Sequence, residues 1–335
     1  VSFLLALSCL LIGIGCFKGN IATQVGDLYA PGDLRRADAY QIYMLGIQLA
    51  VIVSPLVCGT LGQVYGWHWG FGAAGVGMLI GLIVYLSGLA WLPPEPKIMR
   101  GKARAPRAKL APGEGRAVLI LVLMVPVMAL GSVGNQEIFN AYLVWGEANY
   151  QLVFFGKTMP ITWILSFSSI ISAATIVISV MFWRWWAKRR TEPDEMTKLT
   201  IGISIAALAP LTLALASAIV AATGQKVGLG WALAFELLND FGFANFFPVG
   251  LALFSRAAPK ALGGMMIGVF YLHLFLGNMA VGYLGGLLEK MPATSFWLLH
   301  AGLIAAAAVI LMLVRSAAGR VLAPTAPSAL LATAE

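Results

Sequence analysis

Of the 335 residues, 60% are hydrophobic and 11% are charged, under half the charged share of roughly 25% in soluble domains. Several apolar runs reach the roughly 20 residues needed to cross a bilayer, which excludes a soluble two-domain protein. The net charge of +8 does not point to a nucleic-acid partner, because the cations sit in short links between apolar runs.

The chain opens at Val1 inside an apolar run with neither the basic front nor the cleavage site of a signal peptide, so it reads as a membrane segment whose upstream sequence is missing. Taken in order, apolar spans are predicted at 1–25, 40–65, 69–92, 117–146, 158–183, 199–222, 228–254, 263–288 and 294–315. The 37 glycines fit close helix packing in lipid. Cys9, Cys16 and Cys58 lie in apolar runs with no metal spacing and no disulfide framework, so neither a metal nor another cofactor is expected. Residues 93–116, rich in Pro, Gly and basic residues, read as a flexible linker, and 316–335 as a disordered tail. Three spans precede the linker and six follow it. Six helices make a common transporter half, so 1–92 reads as the remainder of one bundle and 117–315 as a second, complete one.

The positive-inside rule sets the orientation. With Val1 outside the cytoplasm, 18 of the 22 lysines and arginines are cytoplasmic, Lys157, Lys226 and Lys290 are external, and Lys18 lies in a span. This predicts a multi-pass inner-membrane protein with a cytoplasmic C terminus.

An ionisable residue inside a span costs a few kcal/mol, about 3 on insertion scales, and so marks a functional position. Lys18, in GIGCFKGNIATQVGDLY with Asn20 and Gln24 nearby, either faces a cavity or an acidic partner, or snorkels to the surface. Glu137, flanked by Asn135, Gln136 and Asn140, lines water or a ligand, or joins helices. Glu236 and Asp240, four apart, share a helix face; two carboxylates so close in low dielectric resist joint ionisation, which suits one of them to carry a proton. Asn239 and Asn245 add polarity there. Glu236 falls near the outer interface and Asp240 nearer mid-span. His273 sits near mid-membrane, and His300 reads as a packing residue. Pro248 and Gly250 are expected to break or bend the helix beyond Asp240.

At these residues a family resemblance emerges. GIGCFKGNIATQVGDLY resembles the fourth helix of the proton-coupled oligopeptide transporters, the POT/PTR family of the major facilitator superfamily. YQIYMLGIQLAVIVSPLVCGTLGQVYGWHWGFGAAGVGM resembles their fifth helix and the start of the sixth, and PVGLALFSRAAPKALGGMMIGVFYLHLFLGN their tenth and eleventh. The resemblance implies an all-α membrane fold of twelve helices in two bundles, of which about nine, the fourth to the twelfth, are present. The family's first-helix Glu-Glu-Arg motif is not in this chain.

Residue by residue, the resemblance implies the following. Lys18 matches the helix-four lysine that pairs with that motif, with Asn20 beside it as a substrate contact. Gln48 stands where helix five carries asparagine. The helix-seven Glu-Gln pair appears as Asn135 and Gln136, with an acid displaced to Glu137. Trp163 and Ser168 match positions of the helix-eight motif. Phe243 replaces the helix-ten glutamate that holds a peptide amino group, Phe247 the serine that follows, and Phe270 and His273 the helix-eleven tryptophan and serine. The proton-coupling candidates are therefore Lys18, Glu137, Glu236, Asp240 and His273. The substrate candidates are Asn20, Gln48, Asn135, Gln136, Trp163, Ser168, Phe243 and Phe270. The function implied is proton-coupled symport of di- and tripeptides or related compounds by alternating access, with no enzymatic motif. Two alternatives stay open: a binding homologue that does not transport, and a symporter for a non-peptide solute.

Overall fold

The computed structural model describes residues 2–28, 35–92, 114–259 and 262–322. The side chains of Lys18 and Asn20, most of the expected linker and residues 323–335 lie outside the described residues. The chain divides into two compact units, 1–103 and 104–335. Among the described residues, eight helices are long and apolar enough to cross a membrane, and Phe3–Phe17 forms a shorter apolar helical stretch.

The first unit holds α1 (Ser2–Asp27), α2 (Arg35–Ser54) and α3 (Trp67–Gly88). Between α2 and α3 the chain winds through two π-helical turns, Pro55–Gly59 and Leu61–Tyr65. Pro55 has no N–H to give, which favours a local change of winding. Gly66 then reverses the backbone at φ 112°, a conformation open to glycine alone. A Cβ on Gly70 would stand 2.6 Å from the Cys58 carbonyl oxygen and 3.1 Å from the Gly62 Cα. Gly70 of GWHWGFG and Gly62 therefore let the two segments touch backbone to backbone. Gln24 on α1 donates to the Tyr85 hydroxyl on α3 at 3.0 Å.

The second unit runs α4 (Glu114–Glu137), α5 (Ala141–Asn149), a hairpin of β1 (Val153–Phe154) and β2 (Lys157–Thr158), α6 (Trp163–Ala187), α7 (Glu195–Thr223), α8 (Gly230–Ala257), α9 (Gly263–Gly285) and α10 (Ala293–Leu322). The hairpin loop has positive φ at Phe155 and Gly156, as a two-residue β-turn requires.

Three expectations need adjustment. The span predicted at 117–146 is interrupted: α4 stops at Glu137 and α5 begins at Ala141. The polar run Asn135–Asn140 supplies the partners the freed backbone needs. The Ala141 amide donates to Glu137 Oε2 at 3.1 Å, and Asn140 Nδ2 donates to the Val281 carbonyl on α9 at 3.1 Å. Second, α8 continues through Pro248 without a break, as membrane helices can when neighbours satisfy the backbone. Third, helix persists beyond Ser316 to Leu322, whose side chain is buried in the core and whose carbonyl accepts from Arg256 Nη2 at 3.0 Å.

This unit has two apolar cores. One gathers Leu121, Met128, Leu199, Ile203, Phe254, Phe270 and Leu311. The other gathers Tyr142, Trp145, Tyr150, Leu213, Phe235, Phe296 and Trp297. Along α4, α8 and α10 the buried polar residues Glu137, Glu236, Asn239, Asp240 and His300 fall between the two.

One end of the bundle is tied by charge. Arg256 holds Glu195 through two hydrogen bonds, of 2.8 and 3.0 Å. Asp194 caps α7, accepting from the Thr197 amide and hydroxyl, both at 2.7 Å, and from Arg315 at 3.2 Å. Burial alone would push this carboxyl up, but the Thr197 hydrogen bonds and Arg315 outweigh it and hold it below the usual aspartate value. A carboxyl depressed in the folded state stabilises at pH above its unfolded value and ceases to do so as pH falls through its folded value. Asp194→Ala is therefore expected to destabilise the protein by about 1 kcal/mol at neutral pH. The deficit should shrink as pH falls below about 4. Thermal unfolding in detergent across pH measures both; a deficit independent of pH would remove the carboxylate from the account.

Candidate functional site

The polar layer of the second unit is built around three acids. Glu137, the last residue of α4, is fully buried. Its Oε1 lies 3.0 Å from His300 Nε2 on α10, and His300 Nδ1 lies 2.8 Å from the Phe296 carbonyl. His300, read from the sequence as packing, is thus the direct partner of an acid 163 residues away.

Glu236 and Asp240 follow on α8, 1% and 2% exposed. The Glu236 side chain is covered on all sides. Its Oε2 accepts from Ser168 on α6 at 2.8 Å, so the hydroxyl of this substrate candidate is engaged within the protein. Glu236 Oε1, Asp240 Oδ2 and Asn239 Nδ2 are buried without a hydrogen-bond partner. The phenols of Tyr142 and Tyr150 are buried beside Glu236. Unpartnered polar atoms are costly in a dry bundle, and they mark the place where a proton or a ligand would be compensated.

Asn245, one turn beyond Asp240, behaves differently. It accepts from Ser179 at 2.8 Å and from the Trp183 indole at 2.6 Å, and donates to the Phe241 carbonyl at 2.9 Å. It locks α6 to α8.

His273 on α9 is buried in a nest of rings, with Phe270 at 4.6 Å, Phe246 at 5.5 Å and Phe247 at 6.0 Å between centroids. Its Nδ1 contacts the Phe270 carbonyl, and its Nε2 is unpartnered. Since Asp240 Oδ2 is also unpartnered, no hydrogen bond joins these two atoms. Phe270, a substrate candidate, is fully buried in the apolar core. Phe243 is half-buried and stacks on Phe247 at 5.3 Å. A cavity of about 10 Å³ lies among Asn135, Asn239, Phe243 and Phe246.

Gln136 donates to Asn135 at 3.2 Å and accepts from Asn278 on α9 at 2.9 Å. Asn278 closes the LGN of the eleventh-helix motif and was not singled out by sequence, whereas His300 was read there as packing. Trp163 opens α6 and is half-buried, and Gln48, in the first unit, is exposed. The structure thus joins Glu137 to His300, Glu236 to Ser168 and Gln136 to Asn278. It leaves Asp240 and His273 unjoined.

Known proteins bear on this arrangement in three ways. Residues 1–110 match the family model described as PTR2, the POT family. The peptide transporter YePEPT of Yersinia enterocolitica is 27% identical over 93% of this chain and 74% of its own length. The di-/tripeptide transporter of Lactococcus lactis is 26% identical over 89% of this chain and 58% of its own. A crystal structure of the peptide transporter POT in complex with sulfate superposes with a TM-score of 0.81 at 20% identity, covering 94% of this chain and 74% of that one. A POT family transporter in complex with 5-aminolevulinic acid gives a TM-score of 0.72 at 18% identity, over 91% and 74%. The multi-pass helical fold is therefore that of these solved transporters, and the first third of the chain is similar to the POT family model.

Proposed function

We propose that this protein is a proton-coupled symporter of di- and tripeptides or related small compounds, working by alternating access in the inner membrane. The observation that carries the reading is the buried layer of Glu137, Glu236 and Asp240 between two apolar cores, in a chain whose relatives include peptide transporters. Acids kept in a dry bundle, with no lysine or arginine paired to them among the described residues, suit groups that take up and release protons. Lys18, Glu137, Glu236, Asp240 and His273 are the proposed coupling residues. Asn20, Gln48, Asn135, Gln136, Trp163, Ser168, Phe243 and Phe270 are the proposed substrate residues, with Phe270 and Ser168 acting from behind the surface, since both are buried. The cation asymmetry supports a cytoplasmic C terminus. Labelling of a cysteine at position 104 only after the membrane is breached, and at position 151, exposed in the loop after α5, from outside, would agree with it.

Phe243 favours a second reading. Where the family resemblance expects an acid for the peptide amine, a ring stacks on Phe247, so a homologue that binds without transporting is the competitor. Reconstituted protein is expected to accumulate a labelled dipeptide under an inward proton gradient, and Lys18→Ala to abolish that accumulation at unchanged expression. Saturable binding without gradient-driven uptake would decide for the competitor. Uptake at the wild-type rate by Lys18→Ala would assign this lysine to snorkelling.

A further inference from the structure

The hydrogen-bond geometry at the α4–α10 contact limits where a proton can be. His300 Nδ1 faces the Phe296 carbonyl at 2.8 Å. A carbonyl only accepts, so Nδ1 carries a hydrogen in either protonation state of the ring. Glu137 Oε2 accepts from the Ala141 amide at 3.1 Å, so that oxygen is an acceptor. What remains is His300 Nε2 and Glu137 Oε1, 3.0 Å apart and fully buried. Two lone pairs do not sit at that distance in a dry site without a hydrogen between them. The contact therefore holds one proton, as a neutral imidazole facing a carboxylic acid or as an imidazolium facing a carboxylate.

Both forms carry zero net charge. Removing the proton leaves a bare carboxylate in the apolar interior, and adding a second leaves a bare cation; each is an uncompensated buried charge. Phe296 and Trp297 wall the imidazole at 4.3 and 5.6 Å. The charged and titratable groups on the surrounding elements are placed elsewhere. On α8 they are Glu236, engaged by Ser168, and Asp240, with Arg256 at the far end. On α5 they are Tyr142 and Glu147, the latter exposed. On α9 they are His273, bonded to Phe270, with Tyr271 and Tyr283 exposed. On α7 the charges are Glu195 and Lys198, both in its first turn, and on α10 Arg315 lies near its end. Among the described residues, no lysine or arginine forms an ion pair with Glu137.

The pair also sits at a joint. Glu137 ends α4 and, through Oε2, caps the first amide of α5, so the break at 138–140 and the proton contact share one side chain. Any movement that separates α4 from α10 here exposes both members and lets the proton leave to water. A return to contact requires a proton again.

We propose that Glu137 and His300 form a single one-proton site, and that the proton held between them is a coupled proton of the transport cycle, with His300 as a coupling residue beside the acid. This rests on the symport reading above. The test is the proton-to-peptide stoichiometry of the transporter in proteoliposomes, from reversal potentials, for Glu137→Gln, His300→Gln and the double variant. The Glu137→Gln amide can still donate to Nε2 and accept from Ala141, so this variant keeps the contact without an exchangeable proton; thermal unfolding checks that it folds. The expected result is a stoichiometry lowered by one proton in each single variant and by the same one proton in the double. Unchanged stoichiometry, or a double variant that loses two, overturns the single site. If the wild type moves no peptide at all, the symport reading falls, and pH-titrated infrared difference spectra decide the pair alone. A Glu137 carboxyl signal that shifts in His300→Gln supports the shared proton, and one indifferent to His300 overturns it.

Discussion

Asp240→Asn is expected to lose accumulation of peptide under a proton gradient while peptide exchange across the membrane continues. The substitution removes one titratable site and almost no volume. Asp240 is 2% exposed, and its Oδ2 has no hydrogen-bond partner. Asparagine has nearly the shape of aspartate, so removing the ability to ionise should leave packing on α8 intact. Exchange needs only substrate binding and the conformational swing, whereas accumulation needs a group that loads and unloads a proton in step with the substrate. Glu236→Gln should weaken uptake less, because an amide oxygen can still accept from Ser168, the contact that fixes Glu236. The measurement is uptake in proteoliposomes with and without a pH gradient, beside counterflow at equal pH. If Asp240→Asn keeps wild-type pH-dependent uptake, the α8 acids are structural and coupling rests on Glu137, His300 or Lys18.

The largest effect on folding is expected at Gly242. A Cβ there would lie 2.7 Å from the Gly202 carbonyl oxygen, 2.7 Å from the Ala206 Cβ and 2.8 Å from the Ala206 amide. A Cβ on Gly202 would in turn lie 2.7 Å from the Gly242 carbonyl oxygen. These two glycines set the closest approach of α7 and α8, and the obstacles are backbone atoms that cannot turn aside. Overpacking typically costs about 1–3 kcal/mol, and with backbone as the obstacle Gly242→Ala should reach the upper end or lose the folded protein. Gly302→Ala is the matched control: nothing lies within 4 Å of its Cβ, and alanine gains about 1 kcal/mol over glycine in a helix. Thermal unfolding midpoints and monodisperse yield in detergent should separate the two variants in opposite directions. Equal behaviour would mean that α7 and α8 do not cross as closely as the structure has them.

Several features could be read from the residues alone. Span lengths and order follow from hydropathy, because a bilayer demands a fixed length of apolar helix wherever it falls in the chain. KGN, SPLVCG and GWHWGFG pointed to the family, and the last two have a local reason in the backbone contact of Gly70 with Cys58 and Gly62. The acids Glu137, Glu236 and Asp240 stood out because charge inside a span is costly at any position. Even the interruption of α4 had its signal in the polar side chains of Asn135, Gln136, Glu137 and Asn140, able to replace lost backbone hydrogen bonds.

Which of these groups meet was decided by tertiary structure. His300 was read as packing because one histidine in an apolar helix carries no mark of its partner, and its partner is 163 residues away. Ser168 engages Glu236 across 68 residues, and Asn278 reaches Gln136 across 142. Helices in lipid can be apolar all round, so hydropathy settles their length and leaves their rotation about the axis open. That rotation is fixed by contacts between different helices, such as Gly202 against Gly242 and Asn245 against Ser179 and Trp183. Once it is fixed, every polar side chain on the helix is aimed. Composition and spacing therefore determined that this chain crosses the membrane many times with acids inside it. The pairing of those acids was left to close helix packing, because a hydrogen bond between helices depends on the register and rotation of both.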